Sequence, residues 1–258
     1  MSSFHAFHGA DGKTGTTMIT QSIAEYIAFN RKELKIMMVS MHGRPGTEYV
    51  DRVGESIEGI RLHLDSRLLD TEKLVMGCKK DGNFYMLGGV ESIEQIRSYY
   101  PEMAAYLLKS LEGSFDLILA DTGNDIDNGL AIGALENIGD RYCIITQQES
   151  IIKRYESLQP IYDKLKIKFS AHIVNKHIES DLYGLDYIGK RLRLPRENLM
   201  KVSASGYERQ AESDHRTLLS YKSDDFCRDI RMIANRVLSR AHIAPIDTER
   251  KKKWLPFI

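Results

Sequence analysis

Residues His8 to Thr17 read HGADGKTGTT, a glycine- and threonine-rich run around one lysine, Lys13. Such a run can hold a phosphate. Gly12 and Gly15 let the backbone approach an anion and turn sharply. Thr16 and Thr17 open the following helix, where a hydroxyl can cap it or reach a magnesium ion. The free N–H groups and partial positive charge of a helix start add to such a site. The same residues also suit a strand–helix turn that binds nothing. A second stretch, FDLILADTGN from Phe115 to Asn124, is an apolar run ending in an acid, Asp121.

These residues must be positioned by a scaffold. Short apolar runs alternate with helical patterns, the mark of a parallel sheet wrapped by helices. Strands are expected at Ser3–Phe7, Lys35–Ser40, Asn83–Gly88, Asp116–Asp121, Tyr142–Thr146, Ala171–Asn175 and Met200–Ser203. Runs such as LILA and YCIIT suit strands buried on both faces. The first helix offers Ile19, Ile23, Tyr26, Ile27 and Asn30 at helical spacing, and the last offers Phe226, Ile230, Ile233, Val237 and Leu238. The expected fold class is α/β, a mostly parallel twisted sheet with helices on both faces. A ligand cleft is expected at the carboxyl ends of its strands. One domain over residues 1–240 is the simplest division, with a basic-aromatic tail at 241–258.

Composition narrows the function. The chain has 258 residues, 36 basic and 36 acidic, hence no net charge. A globally basic nucleic-acid binder is not favoured. Cys78, Cys143 and Cys227 are far apart, which argues against a disulfide framework or a zinc site and suits a reducing cytosol. No apolar run is long enough to span a bilayer. A cytoplasmic protein is expected, at most peripheral at the inner face of the membrane.

In order and spacing, residues 3 to 238 resemble the MinD/ParA superfamily of P-loop ATPases, whose loop reads K-G-G-x-G-K-T-T. The helix pattern Ile23, Ala24, Ile27, Ala28 fixes the register. Gly12 and Gly15 then fall on family glycines and Thr17 on the magnesium-binding Thr. Asp11 replaces the signature lysine, Thr16 replaces the P-loop lysine, and Lys13 replaces a glycine. The resemblance implies a nucleotide site of Gly12, Lys13, Thr14, Gly15, Thr16 and Thr17, with ATP or ADP as ligand. Thr17 and Asp121 would hold magnesium, with Asp121 acting through water at the Walker B position. The Gly123 amide would sense the γ-phosphate. Asn175 in IVNK would contact the base, or else simply cap a strand end. Loss of both lysines implies nucleotide binding with weak or no phosphoryl transfer, because that transfer depends on electrostatic stabilisation. Lys13 is the candidate substitute, and with Asp121 the candidate for catalysis.

Other landmarks depart from the family. In KIMMVSMHGRPG, Ser40 and His42 stand where the family carries aspartates, and His42 is expected as an exposed loop histidine. After the last strand, Ser203 and Ser205 replace the usual Pro and Asp. The degenerate loop resembles the CpaE/TadZ branch, which localises pilus-secretion machinery, and also the MinD-like component of cellulose secretion. The chain begins on its first strand, so the receiver-like domain usual in the CpaE/TadZ branch is not expected. The resemblance implies secretion or envelope assembly proteins as partners, and a homodimer as the family habit. The tail RKKKWLPFI sets four cations beside Trp254, Leu255, Phe257 and Ile258, a combination that suits an anionic membrane surface or a docked or disordered tail. Three readings stand: an ATP-binding scaffold that hydrolyses slowly or not at all, an ATPase cycling between monomer and dimer, and a pseudo-ATPase that binds no nucleotide.

Overall fold

The structure is a computed structural model and describes residues 2–45 and 47–247. The basic-aromatic run of the tail, residues 250–258, lies outside the described residues. In chain order the elements are β1 (Ser3–Gly9), α1 (Thr16–Asn30), β2 (Ile36–Ser40), β3 (Glu55–Ser56), α2 (Arg61–Ser66), α3 (Thr71–Gly77), β4 (Lys79–Asp81), β5 (Phe84–Gly88) and α4 (Pro101–Leu111). There follow β6 (Leu117–Asp121), α5 (Gly129–Asn137), β7 (Asp140–Ile145), α6 (Glu149–Lys164), β8 (Ala171–His177), α7 (Leu185–Leu192), β9 (Leu199–Ser203), α8 (Glu208–Ser213) and α9 (Asp224–Arg240).

The strands form one sheet in the order β3-β5-β2-β6-β1-β7-β8-β9, with β4 added antiparallel on β5 and every other pair parallel. All seven expected strands are present, with ends shifted by up to two residues. β3 and β4 are additions. They have two and three residues, mostly polar, and no apolar run announces them.

Side chains alternate across the sheet, as strand geometry requires. Phe7, Met38, Leu117, Leu119 and Ile144 join a core with α1 and α9, where the expected Ile19, Ile23 and Ile27 meet Phe226, Ile230, Ile233, Val237 and Leu238. Ala6, Met37, Val39, Ile118 and Ile145 face the opposite core, built with α4, α5 and α6. Tyr26 and Asn30 are only half-buried. Beyond α9 the chain folds back: Ile246 is buried, its N–H donates to Asn235 Oδ1 at 2.7 Å, and Arg31 donates to the Ala244 carbonyl. Among the described residues no helix is long and apolar enough to cross a membrane.

β1 sits between β6 and β7, and the chain winds away from it in both directions. Open α/β sheets leave a crevice at such a reversal, outside the carboxyl ends of the strands. The register pairs Asp121 with Phe7 on one side and Ser40 on the other, so the end of β6 lies beside the ends of β1 and β2.

Candidate functional site

The chain leaves β1 at Gly9 and enters α1 at Thr16. Its path is fixed by backbone bonds, Gly9 N–H to the Gly123 carbonyl at 2.7 Å and Ala10 N–H to the Ile144 carbonyl at 2.9 Å. Gly15 precedes α1 with φ +87, a left-handed conformation that disfavours side chains. A methyl group there would also meet Asn175 Nδ2 at 2.4 Å. No side chain caps α1, and its first turn carries no acid. The helix therefore presents its first-turn amides and positive end to the crevice.

Lys13 is exposed and has a positive φ of 61, a backbone state that favours glycine. Two side chains from β8 brace the loop. Asn175 Nδ2 donates to the Thr14 carbonyl at 2.7 Å, and Lys176 Nζ donates to the Lys13 carbonyl at 2.9 Å. Asn175 is buried beneath the loop and outside the cleft lining, so it acts here as a brace on Thr14. Inside the loop, Thr14 Oγ1 donates to the Asp11 carbonyl at 3.0 Å and stands 3.2 Å from Thr16 Oγ1. Asp11 Oδ1 accepts from the Gly12 N–H at 2.7 Å, so an acid holds the amide beside it.

Asp121 is fully buried. Its Oδ1 accepts from the Gly123 N–H at 2.9 Å, and the Thr17 hydroxyl also bonds to the carboxylate. Oδ2 has no hydrogen-bond donor, but His42 Nε2 stands 3.5 Å away. His42 is 4 % exposed, which corrects the expectation of an exposed loop histidine. It is packed because Gly123, with φ +57, lets the chain pass directly beneath it; a methyl group on Gly123 would fall 2.8 Å from His42 Cβ. Burial pushes the Asp121 carboxyl up, yet the neighbouring imidazolium and the Thr17 and Gly123 bonds outweigh it and hold the pKa below its ordinary value. Burial pulls His42 down, and Asp121 overturns that in turn, so His42 titrates above its ordinary value.

Magnesium can be tested against this geometry. Asp121 Oδ2 accepts no hydrogen bond, and Thr17, whose hydroxyl bonds to the same carboxylate, lines the cleft, so these two residues are the ones that would hold the ion. Among the described residues no three His, Cys, Asp or Glu gather into a metal cluster. Metal here would therefore be held jointly with phosphate oxygens and water, which is the habit of magnesium. Bound there, it would neutralise charge on the phosphates, while His42 competes for the same oxygen.

The cleft above the loop has a volume of about 400 Å³. Lys13, Thr14, Gly15, Thr16, Thr17 and Gly123 line it, whereas Gly12 does not. Sequence reading missed Arg44, Tyr49, Glu212 and His215, which line it too. Arg44 carried a usable signal, since it lies in a loop at the carboxyl end of a strand. Glu212 and His215 carried none, because they arrive from the end of α8, far along the chain. Tyr49 is pinned from α1: Gln21 Oε1 accepts its N–H at 2.9 Å and Gln21 Nε2 donates to its carbonyl at 3.0 Å.

No family model matches the chain, and no curated protein matches it in sequence. Solved structures do match in fold. A ParA family ATPase from Chlorobium tepidum superposes with a TM-score of 0.78 at 17 % identity, covering 90 % of this chain and 97 % of its own. The cell division ATPase MinD of Pyrococcus furiosus gives 0.72 at 14 % identity, covering 93 % and 99 %. The septum site-determining protein MinD of Pyrococcus horikoshii, complexed with Mg-ADP, gives 0.66 at 16 % identity, covering 93 % and 98 %. Identities this low speak for the fold: an α/β sheet of the MinD/ParA kind.

Proposed function

We propose that this chain is a nucleotide-binding switch that binds ATP or ADP with magnesium and hydrolyses ATP slowly or not at all. In its liganded state it recruits or positions a membrane-associated secretion or pilus assembly. One observation carries the nucleotide reading: an uncapped helix start and a braced loop line an open cleft beside a buried acid, Asp121, to which Thr17 bonds, with both lysines of the resembling family missing. Backbone amides and the helix dipole suffice to hold an anion. Phosphoryl transfer needs more charge than they supply. The fold likeness to a MinD that holds Mg-ADP supports the choice of ligand. The assembly role is supported by the resemblance of the degenerate loop to the CpaE/TadZ branch. A homodimer, and membrane contact through residues 248–258, belong to the same proposal.

Calorimetry with ATP and magnesium tests the first part, and a saturable titration is expected. A flat titration would favour the third reading, in which Asp11 on the Gly12 amide and His42 on Asp121 fill the site from within. Phosphate release then separates a scaffold from a cycling ATPase. Turnover that collapses in Lys13→Ala would establish the cycling enzyme. Liposome co-sedimentation with and without residues 248–258 tests the tail, and equal pelleting would remove it from the proposal.

A further inference from the structure

With both family lysines missing, the phosphate loop needs a side-chain cation from elsewhere. The loop after β2 brings one. A methyl group on Gly12 would lie 3.7 Å from Arg44 Nη1, so the guanidinium overhangs the phosphate loop next to Asp11. On its other side, Nε and Nη2 each stand 3.4 Å from Asp125 Oδ2, two residues beyond Gly123. Arg44 therefore joins the two loops between which a terminal phosphate would sit. We propose that Arg44 supplies the side-chain charge for the terminal phosphate of a bound nucleoside triphosphate, exchanging the Asp125 carboxylate for the phosphate when the ligand enters. The proposal rests on the nucleotide-binding reading above and names the residue that makes it specific for a triphosphate.

Three features support it. The Arg44–Asp125 pair is long, and each side chain is 49 % exposed. Exposed pairs of this kind contribute little, so the exchange costs little. A guanidinium also matches phosphate with two parallel bonds, which an ammonium cannot do. The backbone around Arg44 is tethered while its side chain is half exposed: its N–H stands 3.2 Å from His42 Nδ1, a bond made when that nitrogen carries no proton, and farther along the loop Tyr49 is gripped by Gln21. The neighbouring cations are placed less well. Lys176 is engaged with the Lys13 carbonyl, and Lys13 projects from an exposed turn. Asp121 Oδ2, two residues before the cleft-lining Gly123, accepts no hydrogen bond and has only His42 Nε2 at 3.5 Å, an independent sign that a ligand completes this end.

The test is calorimetry of the full chain with magnesium and either ATP or ADP. Arg44→Ala is expected to weaken ATP by about tenfold or more and ADP by less than about threefold, the contrast expected of one charge-assisted contact to the terminal phosphate. Arg44→Lys should restore part of the ATP affinity, and Asp125→Asn should raise it by removing the competing carboxylate. Circular dichroism melts check that each exposed substitution leaves the fold intact. ATP affinity in Arg44→Ala within about twofold of the parent would overturn the proposal and leave nucleotide binding standing. Equal losses for ATP and ADP would overturn it too, placing Arg44 on a phosphate common to both. A parent protein that binds neither nucleotide would overturn the nucleotide reading itself.

Discussion

Asp121 and Glu25 are both sealed carboxyls, 0 % and 6 % exposed, yet they titrate in opposite directions. Burial pushes each of them up. At Asp121 the His42 cation, with the Thr17 and Gly123 donors, reverses the push. Glu25, in the middle of α1, has neutral donors beside it: Thr217 Oγ1 at 2.6 Å and Gln21 Nε2 at 2.8 Å. Lys80 adds only a more distant charge, so burial wins and Glu25 is raised to about 7. The difference shows what makes a buried acid a site. Desolvation sets the cost of its charge, and a neighbouring cation decides whether it stays charged at neutral pH. The two acids are also linked, since Gln21 bonds both Glu25 and the Tyr49 backbone of the loop that carries His42.

The largest effect expected from breaking this contrast is at His42. His42→Ala leaves Asp121 buried with no cation and should cost about 3 kcal/mol in urea denaturation at pH 6. The sign follows from linkage. Asp121, lowered from 3.8, stabilises above that value and loses this as pH falls through its folded pKa; His42, raised from 6.5, stabilises below that value and loses this as pH rises through its own. The difference between parent and variant should thus be greatest between those two ordinary values. A loss of under about 1 kcal/mol at pH 6 would mean that the pair is no more than a screened surface contact.

Glu25→Gln should act with the opposite sign. The folded protein holds the Glu25 proton from 4.5 up to about 7 while the unfolded chain releases it, so stability falls through that range. Replacing the acid should raise stability by about 3 kcal/mol at pH 8 and change it little at pH 4. Equal effects at both pH values would show that packing, not charge, governs the position. Thr217→Val is a smaller change. Loss of one hydroxyl bond should cost about 1 kcal/mol and move the Glu25 carbon-13 titration to higher pH. An unmoved titration would place that hydroxyl outside the acid's energetics. Smallest of all, Lys80→Gln should raise the same titration slightly and alter stability by less than about 0.5 kcal/mol. A larger rise would show that a cation controls Glu25 after all and would erase the contrast with Asp121.

The sequence revealed what is local. The seven main strands were legible because strands buried on both faces are apolar throughout, as in Leu117–Ala120. The loop from Gly12 to Thr17 was legible because its residues adjoin one another and feed a helix. Asp121 was legible as the acid that ends an apolar run. What could not be read depends on distant meetings. His42 looked exposed because the strand end beneath it, at Gly123, lies 81 positions farther along the chain. Glu25 gave no sign of burial in the sequence, since its partner Thr217 comes from 192 residues away. Arg44 showed only its place in a loop after a strand until the fold laid it over Gly12.

The return of residues 241–247 across the end of α1 fixes an orientation. Arg31, just past the last turn of that helix, meets Ala244, whereas Thr16 at its first turn faces the cleft. Fifteen helical residues separate the two ends by about 22 Å. A label attached at Asp247 would therefore sit about one helix length from the cleft, far enough to report on the body of the molecule without touching the ligand.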